Sequence, residues 1–261
     1  MAVTACSSCA GAVDADGYCE DCGRRAPDPW DHREFHGPGG AVGITWKGRT
    51  HETNEDALAL GGTGGWTAAV VCDGVSSAPG SGRAARLACW AAQEALIATI
   101  DAGATESALD TAWRAAQDAV AGLAAGERSP ACTFCAAIVG TDGIRVAWSG
   151  DTRAYWLPDV GPALLLTADD HDAQGRLTAW LGADSTTEGP STGRFAPVSG
   201  GLLVLASDGF TRYTEDAAQV AAVAGLGSSR TRADRMLAHA VDAGGLDDIT
   251  LIAIPVERNP S

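Results

Sequence analysis

Apolar runs of strand length that stop at an acidic residue constrain this chain more than any other feature. Residues 70–77 read VVCDGVSS, and the buried-looking run breaks at Asp73-Gly74. Ser149-Gly150-Asp151 follows Val146 and Trp148, Ser207-Asp208-Gly209 follows residues 202–206, and Asp247-Asp248 comes just before residues 249–254. Taken singly, each acid reads as a turn residue or helix cap. Taken together they predict one shared site. If the strands entering Asp73 and Asp208 run the same way and the strand leaving Asp247 runs against them, the three carboxylates meet at one rim.

The periodicity supplies those strands. From residue 41 the pattern is β: AVGITW, a turn-rich stretch to Asn54-Glu55-Asp56, ALAL, then WTAAVVC. The connections are too short for crossover helices, so antiparallel pairing is expected. Residues 81–100 are apolar nearly all round, and residues 105–125 put Leu109, Trp113, Ala116, Val120 and Leu123 on one helical stripe, with Thr105 as N-cap and Gly126 as stop. Strand character returns at 131–139, at Ile144, Val146 and Trp148, and at 153–157 and 163–166. Asp142-Gly143 reads as a hairpin turn, whereas Asp73-Gly74 is followed by a Ser/Pro/Gly loop and a helix. Residues 167–200 read as an irregular surface excursion with a short helix around 176–181. A strand at 202–206, helices at 215–224 and 230–243 and a strand at 249–254 complete two sheets and two helix pairs, an α+β layered domain.

Four of the eight cysteines form a second pattern: Cys6-x2-Cys9, nine residues, then Cys19-x2-Cys22. Two such pairs make a full set of thiolate ligands, so a structural zinc is expected ahead of a redox dithiol. Residues 4–23 carry too few apolar side chains to fold by burial, and the ion would supply the folding energy. Asp16-Gly17 reads as the turn between the pairs. Residues 26–40, rich in Pro, Gly and charge, read as a linker docked through Trp30 and Phe35, with His32 and His36 as solvated loop residues. Cys72, Cys89, Cys132 and Cys135 sit in apolar segments as core residues. Cys132 and Cys135 also spell CxxC, but strand residues three apart face opposite sides of a sheet.

Composition removes whole classes of partner. A formal net charge of -15, with Lys47 the only lysine, argues against a nucleic-acid binder. No basic-then-apolar leader and no membrane-length apolar run is read, so a cytoplasmic protein away from membranes is expected. Converging acids repel unless cations lie between them, and an oxygen-only donor set suits Mg2+ or Mn2+ better than zinc. Two such ions would provide a water of lowered pKa for in-line attack on phosphorus.

Asn54-Glu55-Asp56-Ala57, Asp73-Gly74-Val75, Gly150-Asp151-Thr152-Arg153, Ser207-Asp208-Gly209 and Asp247-Asp248-Ile249-Thr250 occur in the order and rough spacing of the motifs of the PP2C (PPM) family of metal-dependent serine/threonine protein phosphatases. The resemblance covers about residues 41–254, and bacterial members with an N-terminal zinc ribbon look similar overall. It implies a central antiparallel β-sandwich flanked by helix pairs, divided as zinc ribbon 1–25, linker 26–40 and phosphatase domain 41–256. Two Mn2+ or Mg2+ ions are implied in a cleft at one end.

Position by position, the resemblance makes Asp73 the bridging ligand, puts the Gly74 carbonyl on the second ion and Asp208 and Asp247 on the first, and sets Glu55 and Asp56 on the second ion directly or through water. Asp151 matches an acid that helps hold a third, weaker metal in many bacterial members, and Asp248 braces its neighbour. Three departures from the family stand out, one of them the strand start, usually Gly-Thr-Thr and here Ala131-Cys132-Thr133. His51, with Arg49 two residues earlier, stands where an arginine usually clamps the substrate phosphate, and Arg212 stands where some members carry another third-metal acid. His51 is a weaker phosphate partner than a guanidinium, or alternatively a proton donor to the leaving alcohol. The sequence therefore predicts a phosphatase acting on phosphoserine and phosphothreonine in substrates of a serine/threonine kinase, through a dimetal-activated water. The alternative is a pseudophosphatase or phosphoprotein-binding module with the ribbon as its interaction site.

Overall fold

Alternation along the strands sorts the side chains into three apolar layers. A computed structural model describes residues 5–6, 8–14, 17–26, 28–125 and 129–257. One sheet runs β1 (His32–His36), β2 (Val42–Trp46), β13 (Ile249–Val256), β12 (Gly201–Ala206), β8 (Arg153–Pro158), β9 (Leu164–Leu165). The other runs β11 (Ser191–Phe195), β7 (Gly143–Ser149), β6 (Phe134–Gly140), β4 (Trp66–Cys72), β3 (Ala57–Thr63). A short pair joins β10 (Leu181–Gly182) to β5 (Ala131–Cys132). Every neighbouring pair is antiparallel.

Strands buried on both faces explain why the sequence shows runs rather than alternation. In β4, Ala68, Val70 and Cys72 face the helix pair α1 (Ser81–Asp101) and α2 (Ala108–Ala121), while Ala69 and Val71 face the opposite sheet. In β12, Leu202, Val204 and Ala206 face α4 (Ala217–Ala224) and α5 (Ser229–Asp242), while Leu203 and Leu205 point between the sheets. The order is helices, sheet, sheet, helices. Cys132 packs in the layer under α1 and Cys135 in the layer between the sheets, on opposite faces. Asp216 caps α4 by accepting from the Gln219 N–H, and Ser228 caps α5 by accepting from Thr231. One more turn, α3 (Asp208–Thr211), follows β12 directly. Among the described residues, no helix is long and apolar enough to cross a membrane.

The structure corrects four expectations. The span 26–40 is not a plain linker, because it contributes edge strand β1. Trp30 packs on Phe35 and Trp90, with ring centroids 6.4 and 5.7 Å away, and the Arg33 guanidinium lies 4.2 Å over the Trp30 ring, so aromatic contacts hold a segment that composition marks as loose. His32 stacks on Trp46 of β2 at 3.9 Å instead of standing in a solvated loop. No helix forms around 176–181: the Asp172 carboxylate accepts from the backbone of Gln174 and Arg176 and folds a tight turn that pairs His171 with Leu177. The excursion then returns as β10 and β11. Thr105 opens a 3-10 turn, Thr105–Ser107, without a side-chain cap. Asp16 and Gly126 lie outside the described residues.

Leu203 is fully buried between the sheets. Leu203→Ala is expected to lower stability by about 2–5 kcal/mol in urea denaturation; a loss below about 1 kcal/mol would contradict a packed layer there.

Candidate metal centre

Antiparallel register places the acid-bearing strand ends on one rim. Ala57 pairs with Cys72, Phe134 with Ser149, Ala206 with both Arg153 and Leu251, and Ile249 with Trp46. Residues just beyond these pairs, at 54–56, 73–74, 150–151, 207–208 and 247–248, therefore share one end of the sandwich. A cleft of about 170 Å³ opens there, lined by Asp73, Gly74, Thr133, Asp151, Asp208 and Asp247 among others. Of the residues singled out in sequence, these acids and Gly74 converge. Asp56 lies buried beneath, Glu55 and His51 stand beside Asp247 and Asp248, and Arg49 is exposed, fastened by its backbone N–H to the Gly245 carbonyl. Arg49 makes no ion pair with the cleft acids among the described residues.

Backbone donors and hydroxyls hold the acids in place. The Asp73 N–H donates to Thr133 Oγ1 at 3.0 Å and its carbonyl accepts from Thr133 N–H at 2.7 Å, while Thr133 and Thr152 share a hydroxyl contact of 2.6 Å. Ser207 Oγ donates to Asp56 Oδ2 at 2.7 Å and accepts from Thr250 N–H at 2.9 Å. Asp248 braces more than its neighbour: its carboxylate accepts from the N–H groups of Gly48 and Glu55, each at 2.7 Å, and contacts His51 Nδ1 at 3.2 Å. The loop between β2 and β3 is thus tied to the start of β13. Two glycines permit the close packing. A Cβ on Gly74 would stand 2.6 Å from the Glu55 carbonyl oxygen, and one on Gly209 would collide with that of Asp248.

The electrostatics follow from this crowding. Burial, then the charges of Asp56, Asp208, Asp151 and Asp247, pushes the Asp73 carboxyl well above the usual carboxylate range. Asp56 is pushed well up by burial and then by Asp248, and Asp151 and Asp247 are raised by burial and then by Asp208. Glu55 Oε2 is buried with no hydrogen-bond partner. An oxygen-only set of mutually raised acids with one orphaned carboxylate oxygen suits hard divalent cations.

Sequence reasoning missed the contacts that protein cations make at this rim. Arg212 Nη2 lies 2.6 Å from Asp208 Oδ2 and 2.8 Å from Asp247 Oδ2. His171 Nε2 lies 3.2 Å from Asp151 Oδ2, a residue whose only sequence signal is the acid-rich setting of ADDHDAQG. A larger groove of about 430 Å³, lined by Ser77, Pro79, Ala131, Trp180 and Asp184, adjoins the cleft through Val75 and Leu177, which line both.

At the N-terminal end, Cys6, Cys9, Cys19 and Cys22 bring their sulfurs within 4.8 Å of one another. Cys6 and Cys22 are 3.7 Å apart and Cys9 and Cys19 3.4 Å. A tetrahedral zinc with bonds of about 2.3 Å sets its sulfurs about 3.8 Å apart, so the cluster fits that ion. Backbone N–H groups of Ser8 and then Cys9 lower the Cys6 thiol to about 6, while Cys9, against the lowering effect of the Gly11 backbone, is pushed up to about 12 by the Cys19 and Cys22 thiols. This module sits on the loop between β2 and β3: Tyr18 OH donates to Glu52 at 3.1 Å, and Arg25 donates to the Glu52 carbonyl at 2.6 Å and to Asp31 at 3.1 Å.

A model of the protein phosphatase 2C family matches residues 47–241. The fold is similar to that of the Mycobacterium tuberculosis serine/threonine phosphatase PstP/Ppp, with 20% identity over 83% of this chain and 98% of that one, and a TM-score of 0.69. A structure of the PstP catalytic domain in complex with two manganese ions is similar at 22% identity, 83% and 98% coverage and TM-score 0.68. The Mycobacterium smegmatis PPM Ser-Thr phosphatase MsPP in complex with cacodylate is similar at 24% identity, 82% and 97% coverage and TM-score 0.67. A search of curated proteins found no match.

The raised acids predict a pH signature. Folded, they keep protons to a higher pH than in the unfolded chain, so the native state binds more protons and stability falls as pH rises above about 4. Metal-free protein is expected to melt at a lower temperature at about pH 7.5 than at about pH 5.5, and Mn2+ to raise the midpoint more at the higher pH. A metal-free midpoint that rises with pH would mean the acids do not converge.

Proposed function

Because this chain belongs to the protein phosphatase 2C family, we propose that it hydrolyses phosphoserine and phosphothreonine in proteins at the cleft between the strand ends. The observation that carries this reading is the convergence of Asp73, Asp208 and Asp247 on a small cleft that also holds Gly74 and Asp151.

In this proposal Asp73, with Asp208 and Asp247 on one side and the Gly74 carbonyl, Glu55 and Asp56 on the other, directly or through water, would hold two Mn2+ or Mg2+ ions, and Asp151 would help hold a third, weaker one. When bound, the ions supply a nucleophilic water at neutral pH and neutralise charge on the phosphoryl group. The protein's own groups do the rest. Thr133 and Ser207 fix Asp73 and Asp56, and Asp248 sets the loop that carries Glu55 and His51. With Nδ1 held against Asp248, His51 has Nε2 left for proton transfer to the leaving alcohol. Chain flanking the phosphorylated residue lies along the groove beside Val75 and Leu177. The ribbon holds one structural zinc and docks on the catalytic domain. Substrates are phosphoproteins made by a serine/threonine kinase, and the setting is the cytoplasm. A second reading, a phosphoprotein-binding module, is favoured by the pairing of Arg212 and His51 with the cleft acids, and Mn2+ binding at the cleft separates the two.

With Mn2+, the protein is expected to release phosphate from an aryl phosphate and a phosphothreonine peptide, and EDTA to abolish release. Asp73→Ala should lose at least about 2.7–4 kcal/mol of transition-state stabilisation, or 10²–10³-fold in rate. Folded protein that binds Mn2+ and hydrolyses neither substrate would sink the reading. Metal analysis should find one zinc per chain, lost in Cys6→Ser/Cys22→Ser; a zinc content unchanged by that double substitution would reject the ribbon site.

A further inference from the structure

We propose that Arg212 is the residue that grips the substrate phosphoryl group; this rests on the phosphatase reading above. A phosphate dianion drawn to metal charge in a cleft walled by carboxylates gains a fixed orientation from a hydrogen-bond donor beside the ions. A forked guanidinium does this better than an imidazole or an ammonium, because it offers paired donors at the spacing of two phosphate oxygens. The sequence position expected to carry such a group holds His51, whose Nδ1 is turned inward against Asp248.

Of the other cations near the rim, Arg153, Lys47 and Arg176 are committed elsewhere, Arg49 is exposed and makes no ion pair with the cleft acids among the described residues, and His171 contacts Asp151 alone. Arg153 makes a two-pronged pair with Asp169, at 2.9 and 2.6 Å. Lys47 donates to the carbonyls of Gly48 and His51, and Arg176 is folded onto Asp172. Arg212 alone among the described arginines pairs with two acids of the cleft, Asp208 and Asp247. Both contacts use one nitrogen, Nη2. Its side chain is 37% exposed, and its backbone N–H bonds to the Asp208 carbonyl, so its root is fixed one helical turn from the cleft while its head reaches solvent.

Those two acids are the ones proposed to hold the first ion. A carboxylate oxygen that turns to a divalent cation gives up its guanidinium, and the ion's charge repels the freed group from that spot. Arg212 stays tethered within a side chain's length of the same acids. An incoming phosphate, drawn to the same ions, offers it a new pair of oxygens. Arg212 is thus a counter-ion of the acids in the metal-free protein and a substrate clamp in the loaded one.

Calorimetric titration of Mn2+-loaded protein with inorganic phosphate tests this without turnover. Arg212→Gln is expected to weaken phosphate binding about tenfold or more, and Arg212→Lys, which keeps charge and loses the fork, to fall between. Mn2+ affinity should be unchanged or tighter in Arg212→Gln, because a competitor for Asp208 and Asp247 is gone. For aryl phosphate, KM should rise more than kcat falls. Phosphate affinity within twofold of native in Arg212→Gln overturns the assignment, as does native protein that binds no phosphate. Loss of Mn2+ binding together with phosphate binding also overturns it, since Arg212 would then be supporting the metal site. Native protein that binds phosphate through Arg212 and hydrolyses no phosphomonoester rejects the phosphatase reading and leaves the clamp standing.

Discussion

Carboxylates crowded at one end of a sandwich repel each other, and the rest of the molecule is arranged to withstand that repulsion. Asp56, Asp73, Asp151, Asp208 and Asp247 do not select their neighbours; the strands do. Three buried apolar layers fix the registers, the registers fix the strand ends, and the ends carry the acids. Hydroxyls and backbone N–H groups then pin individual positions: Thr133 for Asp73, Ser207 for Asp56, and the loop amides that Asp248 collects. None of these partners carries a charge, so they hold the acids in place without neutralising them. The charged partners at the rim include Arg212 on Asp208 and Asp247 and His171 on Asp151.

That logic also explains which parts of the fold were legible in the amino-acid sequence. Strands buried on both faces write themselves as short apolar runs, and β4, β12 and β13 are such runs, each touching an acid at one end. Two sheets with two helix pairs followed from counting them. The opposite facing of Cys132 and Cys135 followed from the strand period. Edge strand β1 was hidden, since its stability comes from Trp30, Phe35, Trp90 and Arg33 meeting across segments that local composition cannot join. The turn at Asp172 was hidden for a different reason: one carboxylate competing for backbone amides outweighed a weak helical pattern. At the rim, the acids were visible as strand-end residues. The Arg212 bridge to Asp247 was not, because it joins residues 35 apart whose proximity depends on β12 and β13 being neighbours.

Two donor sets of opposite character meet on one loop: four cysteine sulfurs, which suit a soft ion in a closed site, and carboxylates at an open rim, which suit a hard one. Between them lies the segment from Lys47 to Asp56, held on one side by Tyr18 and Arg25 and on the other by Asp248. Asn54 completes the connection, donating to Thr45 in the sheet and to the Trp30 carbonyl. The four-cysteine module is therefore seated on the segment that carries His51 and Glu55.

Strand β13 lies in the interior of its sheet, hydrogen-bonded to β2 on one side and β12 on the other, although it is the last of the described strands in chain order. It also delivers Asp247 and Asp248, the first a wall of the cleft and the second the tie for the loop. During synthesis, a chain that has not yet emitted residues 247–256 has a sheet split down its middle, a loop without its tie and a rim missing one wall. The place where such a protein would engage metal or phosphate cannot form piecemeal. Asp247 and Asp248 reach the rim only once β13 has paired with both β2 and β12, so the site depends on pairings of long sequence separation, the kind that form slowly.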